Sequence, residues 1–409
     1  MIPLAEAQAA ILAAVPVLPI DTVAPRDALG LVLAEDVTAR SPVPPFTNTA
    51  MDGYAVRAGD TRGATDDSPV QLHVVGELAA GSAPTTPVQS GEAVRIMTGA
   101  PMPDGADAIV MVERTRRAGD DAVLVSAAAE PGQHVRRAGG DVEAGQLVFA
   151  GGTVLGPAHL GVLASIDERD VVVRRRARVG VLSTGDELVA SGALRPGQIR
   201  DSNRPMLLAV VERTGATPSD FGIVGDDEAA IVETLERACN ECDVVLTSGG
   251  VSVGDYDYVK AALDRLAPAG AFHWWQVAIK PAKPLAFGMV GDAAVFGLPG
   301  NPVSSLVSFE CFARPAILQM MGYTGAARFR PTVTATAGRA LSRRADGKLH
   351  LDRVRVHLDD GRFVAVRSGE QASNVLSATA LANGLALVPD GEGIAEGDAV
   401  EVMLLELPS

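Results

Sequence analysis

The chain has 409 residues, and 50 acidic against 35 basic side chains give it a formal net charge of −15 at pH 7. A protein this acidic is a poor general ligand for nucleic acid or anionic membranes, so any anion that it binds must meet a local pocket of cationic side chains or backbone amides. The chain begins without the basic and apolar segments of a signal peptide and has no run of about eighteen apolar residues, so we expect a cytoplasmic protein without a membrane span.

The first part of the chain predicts a short helix followed by a β-rich domain. Apolar residues at helical spacing predict a helix over residues 4–15, and a turn and strand follow over 27–37. From 70 to 149 the pattern consists of short β segments separated by Gly and Pro, which is typical of a small β domain.

Three loops in this region are longer or more elaborate than simple turns require. The first, 41–56, contains several prolines and then Asp52-Gly53, the second is 97–104, and the third is 136–141. Elaborate loops inside a compact domain are often functional. From the residues alone, each is either a structural turn or a binding loop.

After a basic run at 174–178, which marks a boundary, the sequence alternates between apolar strands and helices. This alternation predicts a largely parallel sheet covered on both faces. The predicted strands are 179–183, 220–224, 244–247, 272–279, 285–287 and 294–296, and the predicted helices are 200–213 (with Asp201 or Ser202 as N-cap), 226–239, 255–266 and 303–321.

The stretch from Asp243 to Lys260 is the centre of this region. It predicts a buried strand, a small-residue loop over 247–254 and a helix from Asp255 onward. Glycines let backbone N–H groups approach an anion, and the helix adds the positive end of its dipole. The loop is therefore either an oxyanion site or a tight turn with a helix-capping Asp.

Chemically active side chains follow several of the predicted strands. Asp186 and Glu187 follow the first strand, and the loops around Lys280, Lys283 and 297–304 follow later ones. The carboxyl ends of parallel strands meet at one edge of a sheet. Carboxylates there could hold Mg²⁺ against a phosphate, and lysines could neutralise the anion. The alternative for the lysines is a solvent-facing Lys-Pro loop.

Lysine and cysteine usage adds two observations. The chain contains only Lys260, Lys280, Lys283 and Lys348, and three of them cluster beside the glycine loop, where a compact point charge suits an anion. An odd number of cysteines argues against a disulfide framework, so we expect buried or incidental thiols; the scattered histidines predict no zinc site. The cysteines are Cys239, Cys242 and Cys311.

The last part of the chain predicts a small C-terminal β domain. The predicted strands are 331–337, 349–358, 362–367, 384–388 and 398–404, with Asp359-Asp360-Gly361 as a hairpin turn. The segment 373–381 is rich in small residues and is a weaker candidate for a ligand-facing excursion of this domain.

Six motifs in order resemble the MoeA family and the gephyrin E domain, over nearly the whole chain. They are Pro-Pro-Phe-Thr-Asn-Thr-Ala-Met-Asp-Gly-Tyr-Ala (44–55), Met-Thr-Gly-Ala-Pro (97–101), Ser-Thr-Gly-Asp-Glu-Leu (183–188), Ser-Gly-Gly-Val-Ser-Val-Gly (248–254), Lys-Pro-Ala-Lys-Pro (280–284) and Gly-Leu-Pro-Gly-Asn-Pro-Val-Ser (297–304). One glycine loop would be a weak signal, whereas six ordered motifs are specific.

The resemblance implies a molybdopterin molybdenumtransferase, which inserts molybdate into adenylylated molybdopterin with Mg²⁺ and releases AMP. It also implies a four-domain homodimer, whose α/β domain resembles the adenylyltransferase of the same pathway, a possible partner. The domains would be 1–50 with 142–175 (linker and dimerisation), 51–141 (small β), 176–325 (α/β, molybdopterin-binding) and 326–409 (C-terminal β).

The resemblance also implies roles for individual residues. Asp186, Glu187 and Asp257 would bind Mg²⁺ or position the phosphoanhydride, and Lys280 and Lys283 would act in an anion pocket. Asp52, Thr98 and Asp141 would come from the other subunit. The remaining substrate-binding residues would be Thr184, Asp226, Ser248, Gly249, Gly250, Ser252, Gly254, Pro299, Gly300, Asn301 and Pro302.

Two positions depart from the family pattern. Thr47 stands where Asp is common, which removes a charge, and Ala282 stands where Gly is common, which would slightly shift the lysine loop. Two other functions stay open: an adenylyltransferase, against which the long N-terminal β region argues, and a non-catalytic dimeric scaffold, for which no fused partner domain is present.

Overall fold

The computed structural model describes residues 1–249, 258–268 and 270–407, and the chain divides into two compact units. The first unit contains residues 1–22, 30–34 and 172 onward, and the second contains residues 23–29 and 35–171. None of the helices in the described ranges is long and apolar enough to cross a membrane.

The second unit is built on one six-stranded sheet, as its short alternating segments predict. Its inward-facing residues, among them Val56, Leu72 and Val110, form the core. In spatial order the strands are Ala108–Met111, Gly53–Val56, Glu92–Ile96, Val70–Leu78, Ala122–Val125 and Thr115–Arg117. The smaller elements are the pairs Val37–Thr38 with Leu147–Phe149 and Asn48–Thr49 with Val135–Arg136, the helix Pro157–Ser165, and 3₁₀ turns at Pro25–Asp27, Ala58–Thr61 and Val112–Arg114.

The first unit contains a six-stranded α/β sheet and a C-terminal β sheet. In chain order the α/β strands are β1 (Arg178–Thr184), β2 (Thr217–Val224), β3 (Val244–Ser248), β4 (Phe272–Gln276), β5 (Pro284–Val290) and β6 (Ala293–Leu298). The helices of this part are α1 (Asn203–Arg213), α2 (Glu228–Glu241), α3 (Tyr258–Leu266), α4 (Pro302–Ser308) and α5 (Arg314–Met320). The unit also holds the helix Leu4–Ala14, the short pairs Ile20–Val23 with Val171–Arg174 and Leu188–Val189 with Ile199–Arg200, and a 3₁₀ turn at Gly325–Arg328.

The α/β sheet confirms the predicted mostly parallel arrangement. Its order is β2-β1-β3-β6-β5-β4, and the first four strands are parallel while β5 is antiparallel to both of its neighbours. Leu182, Val245 and Val295 point to the face covered by α2 and α3. Ser183, one position after Leu182, and Ser248, three positions after Val245, point to the opposite face, where α1 begins. Helices therefore cover both faces.

The predicted strand 272–279 is wrong beyond Gln276. β4 ends there, and Ile279–Lys280 forms a separate strand that pairs in parallel with Leu349–His350 of the C-terminal sheet. The chain changes sheets at Val277, whose backbone N–H donates to Lys283 O at 2.7 Å. Lys280 therefore belongs to the C-terminal sheet and does not lie at the end of a parallel strand of the α/β sheet.

The predicted helix 303–321 is continuous in the chain but not α-helical throughout. α4 and α5 are joined by a π-helical segment, Phe309–Ala313. Pro315 lies in the first turn of α5, and its ring would clash with the carbonyl four residues earlier in a regular α-helix. Widening the preceding turn to π geometry relieves that clash.

The C-terminal sheet closes on itself, because Leu349–Asp359 pairs with strands on both of its sides. Asp360 and Gly361 have φ of +42° and +76°, as the predicted hairpin turn requires. The ring contains, in order, Leu349–Asp359, Arg362–Arg367, Thr332–Ala337, Ala399–Leu404 and Gly384–Val388. A short pair, Leu341–Ser342 with Gly393–Ile394, and the helix Leu376–Ala380 complete it.

Candidate functional site

The carboxyl ends of β1, β3 and β6 lie side by side, as parallel pairing dictates. They approach so closely that a Cβ on Gly249 would lie 2.9 Å from the backbone oxygen of Thr184. Gly249 also has φ of +103°, which L residues rarely adopt. A Cβ on Gly300 would lie 3.8 Å from the Cα of Gly249. Glycine is therefore required at position 249, and the loop that contains Gly300 lies within van der Waals contact of it.

A cavity of about 560 Å³ opens at these strand ends, and we call it the rim cavity. Nine of the predicted site residues line it: Thr184, Glu187, Asp226, Ser248, Gly249, Pro299, Gly300, Asn301 and Pro302. Asp186 does not line it. Gly250, Ser252, Gly254 and Asp257 lie outside the described residues. The pattern of strand ends thus predicted nine of the twenty residues that line this cavity.

The acids at and beside the rim cavity, Glu187 and Asp226 in its wall and Asp186 next to them, have different environments. Asp186 Oδ1 accepts a hydrogen bond from the backbone N–H of Asp226 at 3.0 Å, and Asp226 Oδ2 accepts one from the N–H of Asp186 at 3.4 Å. The carboxylate of Glu187 folds over Gly185, where any Cβ would lie 2.3 Å from Glu187 Oε2. Glu187 therefore occupies space that only a glycine leaves open, and its carboxylate lies at the cavity wall.

The chemistry of these acids suits Mg²⁺. This ion prefers carboxylate oxygens, keeps several waters and is usually held by one or two carboxylates together with substrate phosphates. Across the described residues, no group of three or more His, Cys, Asp or Glu side chains could hold a metal ion. Glu187 and Asp186 are hard oxygen ligands of the required kind, so the residues fit a partly hydrated ion and not a closed protein cage.

Lys280 and Lys283 line a second cavity, of about 500 Å³, which we call the lysine cavity. It also contains Lys348, and it shares Pro284, Pro299 and Asn301 with the rim cavity. Ser373, from the small-residue segment predicted as a ligand-facing excursion, lines it too. The cations and the acids predicted to converge are therefore in adjoining cavities.

Ala282, between the two lysines, has φ of +75° and is buried. This left-handed conformation costs an alanine roughly 1–2 kcal/mol, whereas glycine adopts it freely. Ala282 therefore keeps the left-handed backbone conformation that a glycine would adopt at this position.

The loops of the second unit also bring two predicted residues together. Asp52 Oδ1 accepts hydrogen bonds from both the backbone N–H and the hydroxyl of Thr98, each at 2.7 Å. The backbone N–H of Thr98, then its hydroxyl, lowers the pKa of Asp52. Asp141 is exposed, and its backbone N–H donates to Val43 O at 3.0 Å. Asp52 is thus held as an oriented, ionised acid.

Two residues at the start of α1 make polar contacts, and only one of them, Asp201, was predicted. Asp201 Oδ1 accepts from Ser183 Oγ at 3.1 Å and from the backbone N–H of Arg204 at 3.2 Å, which identifies Asp201 as the capping side chain. Asn203 contacts both Ser248 and Gly300. Only the cap was visible as a sequence signal; an Asn in a helix's first turn carries no signal of its own.

The cysteines are free thiols, with Cys242 and Cys311 buried and Cys239 half-buried. Burial raises the pKa of Cys239 and of Cys311 to about 12. They are therefore un-ionised and unreactive near neutral pH.

The first unit combines a closed C-terminal sheet with an α/β sheet that has a cavity at its strand ends, and comparison with known proteins identifies the family that has these domains. The model of a "probable molybdopterin binding domain" matches residues 180–319. The "MoeA N-terminal region (domain I and II)" matches 2–166, and the "MoeA C-terminal region (domain IV)" matches 335–405. The chain belongs to the MoeA family.

Individual relatives agree over nearly their whole length. "Molybdopterin molybdenumtransferase 2" of Mycobacterium tuberculosis is 42% identical, with 93% of this chain and 92% of the relative covered. The molybdopterin molybdenumtransferase of Haemophilus influenzae is 37% identical, with 92% of each covered. The crystal structure of a molybdopterin biosynthesis MoeA protein from Pyrococcus horikoshii superposes with a TM-score of 0.81 at 30% identity, covering 99% of this chain and 100% of that one.

Proposed function

We propose that this protein inserts molybdate into adenylylated molybdopterin, in a Mg²⁺-dependent reaction that releases AMP and forms molybdenum cofactor. The observation that carries the proposal is the adjacency of the rim cavity and the lysine cavity, which share Pro284, Pro299 and Asn301. The substrates are anions of two kinds, a phosphoanhydride and a tetrahedral oxyanion. The names of the relatives support the same reaction.

In this proposal the rim cavity holds the adenylylated pterin. Gly249 and Gly300 keep the backbone free of side chains where the strand ends meet, so that a phosphate can approach N–H groups closely. Ser248 and Asn301 would add polar contacts, as would Gly250, Ser252 and Gly254, which lie outside the described residues.

Glu187 and Asp186 would hold Mg²⁺ together with Asp257, and the ion would neutralise charge on the phosphoanhydride. Glu187 is exposed at the cavity wall and its carboxylate folds over Gly185, so its oxygens are accessible to an ion bound in the cavity. The protein's contribution is orientation of charge.

The lysine cavity would receive molybdate. A chain of net charge −15 repels a dianion, so Lys280, Lys283 and Lys348 must supply the local positive charge. In the reaction the two dithiolene thiols together replace one molybdate oxygen, which takes up both thiol protons and leaves as one water, and a further water cleaves the phosphoanhydride. No electrons are transferred and no protein nucleophile is needed; the chain's task is to hold two repelling anions together.

The same proposal extends to assembly. In a homodimer, Asp52, Thr98 and Asp141 would come from the partner subunit, and the adenylyltransferase of the pathway would supply the substrate. The domains would be 1–50 with 142–175, 51–141, 176–325 and 326–409, and the reaction would take place in the cytoplasm.

The deciding experiment measures AMP release from adenylylated molybdopterin with Mg²⁺, in the presence and absence of molybdate. Molybdate-dependent AMP release with a molybdenum-bearing pterin as product is the expected result. Binding of the adenylate without turnover would indicate a scaffold, and adenylylation of free molybdopterin by ATP would indicate the preceding step of the pathway; either result would refute the proposal.

A matched pair of variants tests the lysine cavity in the same assay. Lys283→Ala is expected to raise the molybdate concentration for half-maximal rate about tenfold to a hundredfold, because a hydrogen bond to a charged group contributes about 1.5–3 kcal/mol. Arg237→Ala removes the same charge from the exposed surface of α2 and should leave this concentration unchanged. Equal behaviour of the two variants would exclude Lys283 from the molybdate site.

A further inference from the structure

Asn203, the first residue of α1, connects two of the loops that form the rim cavity. Its side-chain Nδ2 donates to Ser248 Oγ at 2.7 Å and to the backbone oxygen of Gly300 at 2.6 Å. Asn203 is 8% exposed and Ser248 is 2% exposed. Because the Gly300 carbonyl can only accept a hydrogen bond, the amide nitrogen must face it, and the orientation of the side chain is determined.

This contact decides what Ser248 can offer a ligand. A hydroxyl carries one hydrogen, and its oxygen here already accepts from Asn203, so the hydrogen must point elsewhere. Within the described part of the chain, no acceptor takes it. Ser248 lines the rim cavity, as does Asn203. The hydroxyl hydrogen is therefore available to a group that enters the cavity.

Neighbouring contacts hold Asn203 in place. Asp201 is 9% exposed and joins β1 to the start of α1 by accepting from Ser183 Oγ, and Arg204 Nε donates to Asp201 Oδ2 at 3.0 Å. The Oδ1 atom of Asn203 is buried without a partner among the described residues. A purely structural connection between two loops gains nothing from such an uncompensated oxygen, whereas a site completed by a ligand can tolerate it.

We infer that Asn203 is a positioning residue that makes Ser248 a hydrogen-bond donor to a phosphate oxygen of the substrate. The inference rests on the proposed function. Asn203 acts through Ser248: as long as the amide donates to the serine oxygen, the hydroxyl presents its hydrogen, and not its lone pairs, to the anion. A phosphate oxygen can only accept, so this polarity determines whether Ser248 attracts or repels it.

Asn203→Asp tests this polarity with almost no change in shape. A carboxylate accepts, so the hydroxyl hydrogen of Ser248 would turn toward it and the phosphate would face oxygen lone pairs. We expect the KM for adenylylated molybdopterin to rise by about 30-fold or more, with a smaller change in kcat. Burial at position 203 should raise the pKa of the new carboxyl above its usual value of about 3.9, so lowering the pH from about 8 to about 5.5 should partly restore the KM of this variant only, because the protonated carboxyl regains a donor.

Two comparisons separate positioning from simple structural support. Ser248→Ala should raise the KM about tenfold, and the double variant with Asn203→Asp should be no worse than Asn203→Asp alone, because the same donor cannot be lost twice. Asn240→Asp adds the same charge at an exposed position of α2 and should behave as wild type. If Asn203→Asp does not fold, as judged by circular dichroism, Asn203→Ala replaces it in the cycle.

The outcomes distinguish this inference from the proposed function. If wild-type protein shows no molybdate-dependent AMP release, the proposed function fails. If wild-type protein turns over and the Asn203 variants keep its KM, or if the losses in the double variant multiply, the inference alone is overturned. Non-additive losses together with the pH-dependent recovery support it.

Discussion

Two glutamates of the α/β part have opposite surroundings. Glu310, in the π-helical segment, is fully buried and contacts Arg213, Arg314 and Arg330. Arg330 binds both of its oxygens, each at 2.8 Å. Glu187 lies at the wall of the rim cavity and folds over Gly185. No described residue forms an ion pair with it.

The difference separates a structural acid from one directed at a ligand. A buried carboxylate must be paired, because desolvation of an unpaired charge costs several kcal/mol. The three arginines around Glu310 come from α1, from α5 and from the segment before Thr332, so this acid joins three parts of the first unit. An acid that lines a cavity keeps its oxygens for solvent, metal or substrate. The following predictions test this distinction.

The largest effect is expected at Glu310. Glu310→Ala should lower the free energy of unfolding by about 3–5 kcal/mol, because it leaves buried arginines without their counter-charge. Burial followed by repulsion from Arg330 already lowers the pKa of Arg314 to about 10. Chemical denaturation measures the change. The control, Glu228→Ala, breaks an exposed pair with Arg265 and should cost less than about 1 kcal/mol; similar losses for both would contradict the structural role.

Glu187→Gln should reduce activity strongly and change stability little, in contrast to Glu310→Ala. Stability should stay within about 0.5 kcal/mol of wild type, because no described contact is lost. Molybdenum insertion should fall about a hundredfold to a thousandfold, as expected when a charge that stabilises the reacting groups is removed. The same substitution at Glu236, exposed on α2, should preserve activity. Full activity of Glu187→Gln would exclude the role proposed for this acid.

Asp243 is another buried acid paired with arginines, and its contribution to stability should depend on pH. Burial acts to raise its pKa, but hydrogen bonds from Arg175 and Arg178 outweigh this and lower the pKa to about 2. The folded-state pKa is depressed, so the stabilisation is complete above the unfolded pKa of 3.8 and is lost as the pH falls toward 2.

The shift corresponds to about 2 kcal/mol of stability. Asp243→Asn should therefore lower the free energy of unfolding by about that amount near neutral pH, and the gap to wild type should narrow as the pH falls below 3.8 and nearly close at about pH 2. Urea denaturation between about pH 2 and pH 7 measures the free energy of unfolding of the variant and of wild type. Asp292→Asn, at an exposed position, is the control. A gap that stays constant down to about pH 2 would show that pairing of the ionised acid is not the cause.

The smallest effect is expected beside the lysine cavity. Ala282→Gly should raise the free energy of unfolding by about 0.5–1 kcal/mol, because glycine adopts a φ of +75° without steric cost and this gain exceeds its extra chain entropy. Ala278→Gly, at a nearby residue without positive φ, should instead destabilise by a similar amount. Thermal unfolding of the pair should shift in opposite directions, and a shift of the same sign would refute the strain argument.

Local pattern predicted much of the candidate site. Apolar runs bounded by Gly, Asp and Ser identified β1 and β3, and pairing of parallel strands then implied that Thr184, Ser248 and Pro299 would meet. The closed C-terminal sheet shows the limit of this reasoning: its strands were predicted, but closure depends on the pairing of Leu349–Asp359 with Gly384–Val388. That contact joins residues distant in sequence, and the local hydrophobic pattern does not predict which distant strands pair.

The sequence by itself determined the alternation of strands and helices, the glycines where backbones must approach, and the family to which the chain belongs, because all three depend on residues close together along the chain. Tertiary structure alone decided which acid is paired and which lines a cavity, the transfer of Lys280 to the second sheet, and the contact of Asn203 with Ser248 and Gly300. These depend on which distant segments pack together, and packing is specified by the whole chain and not by any single stretch.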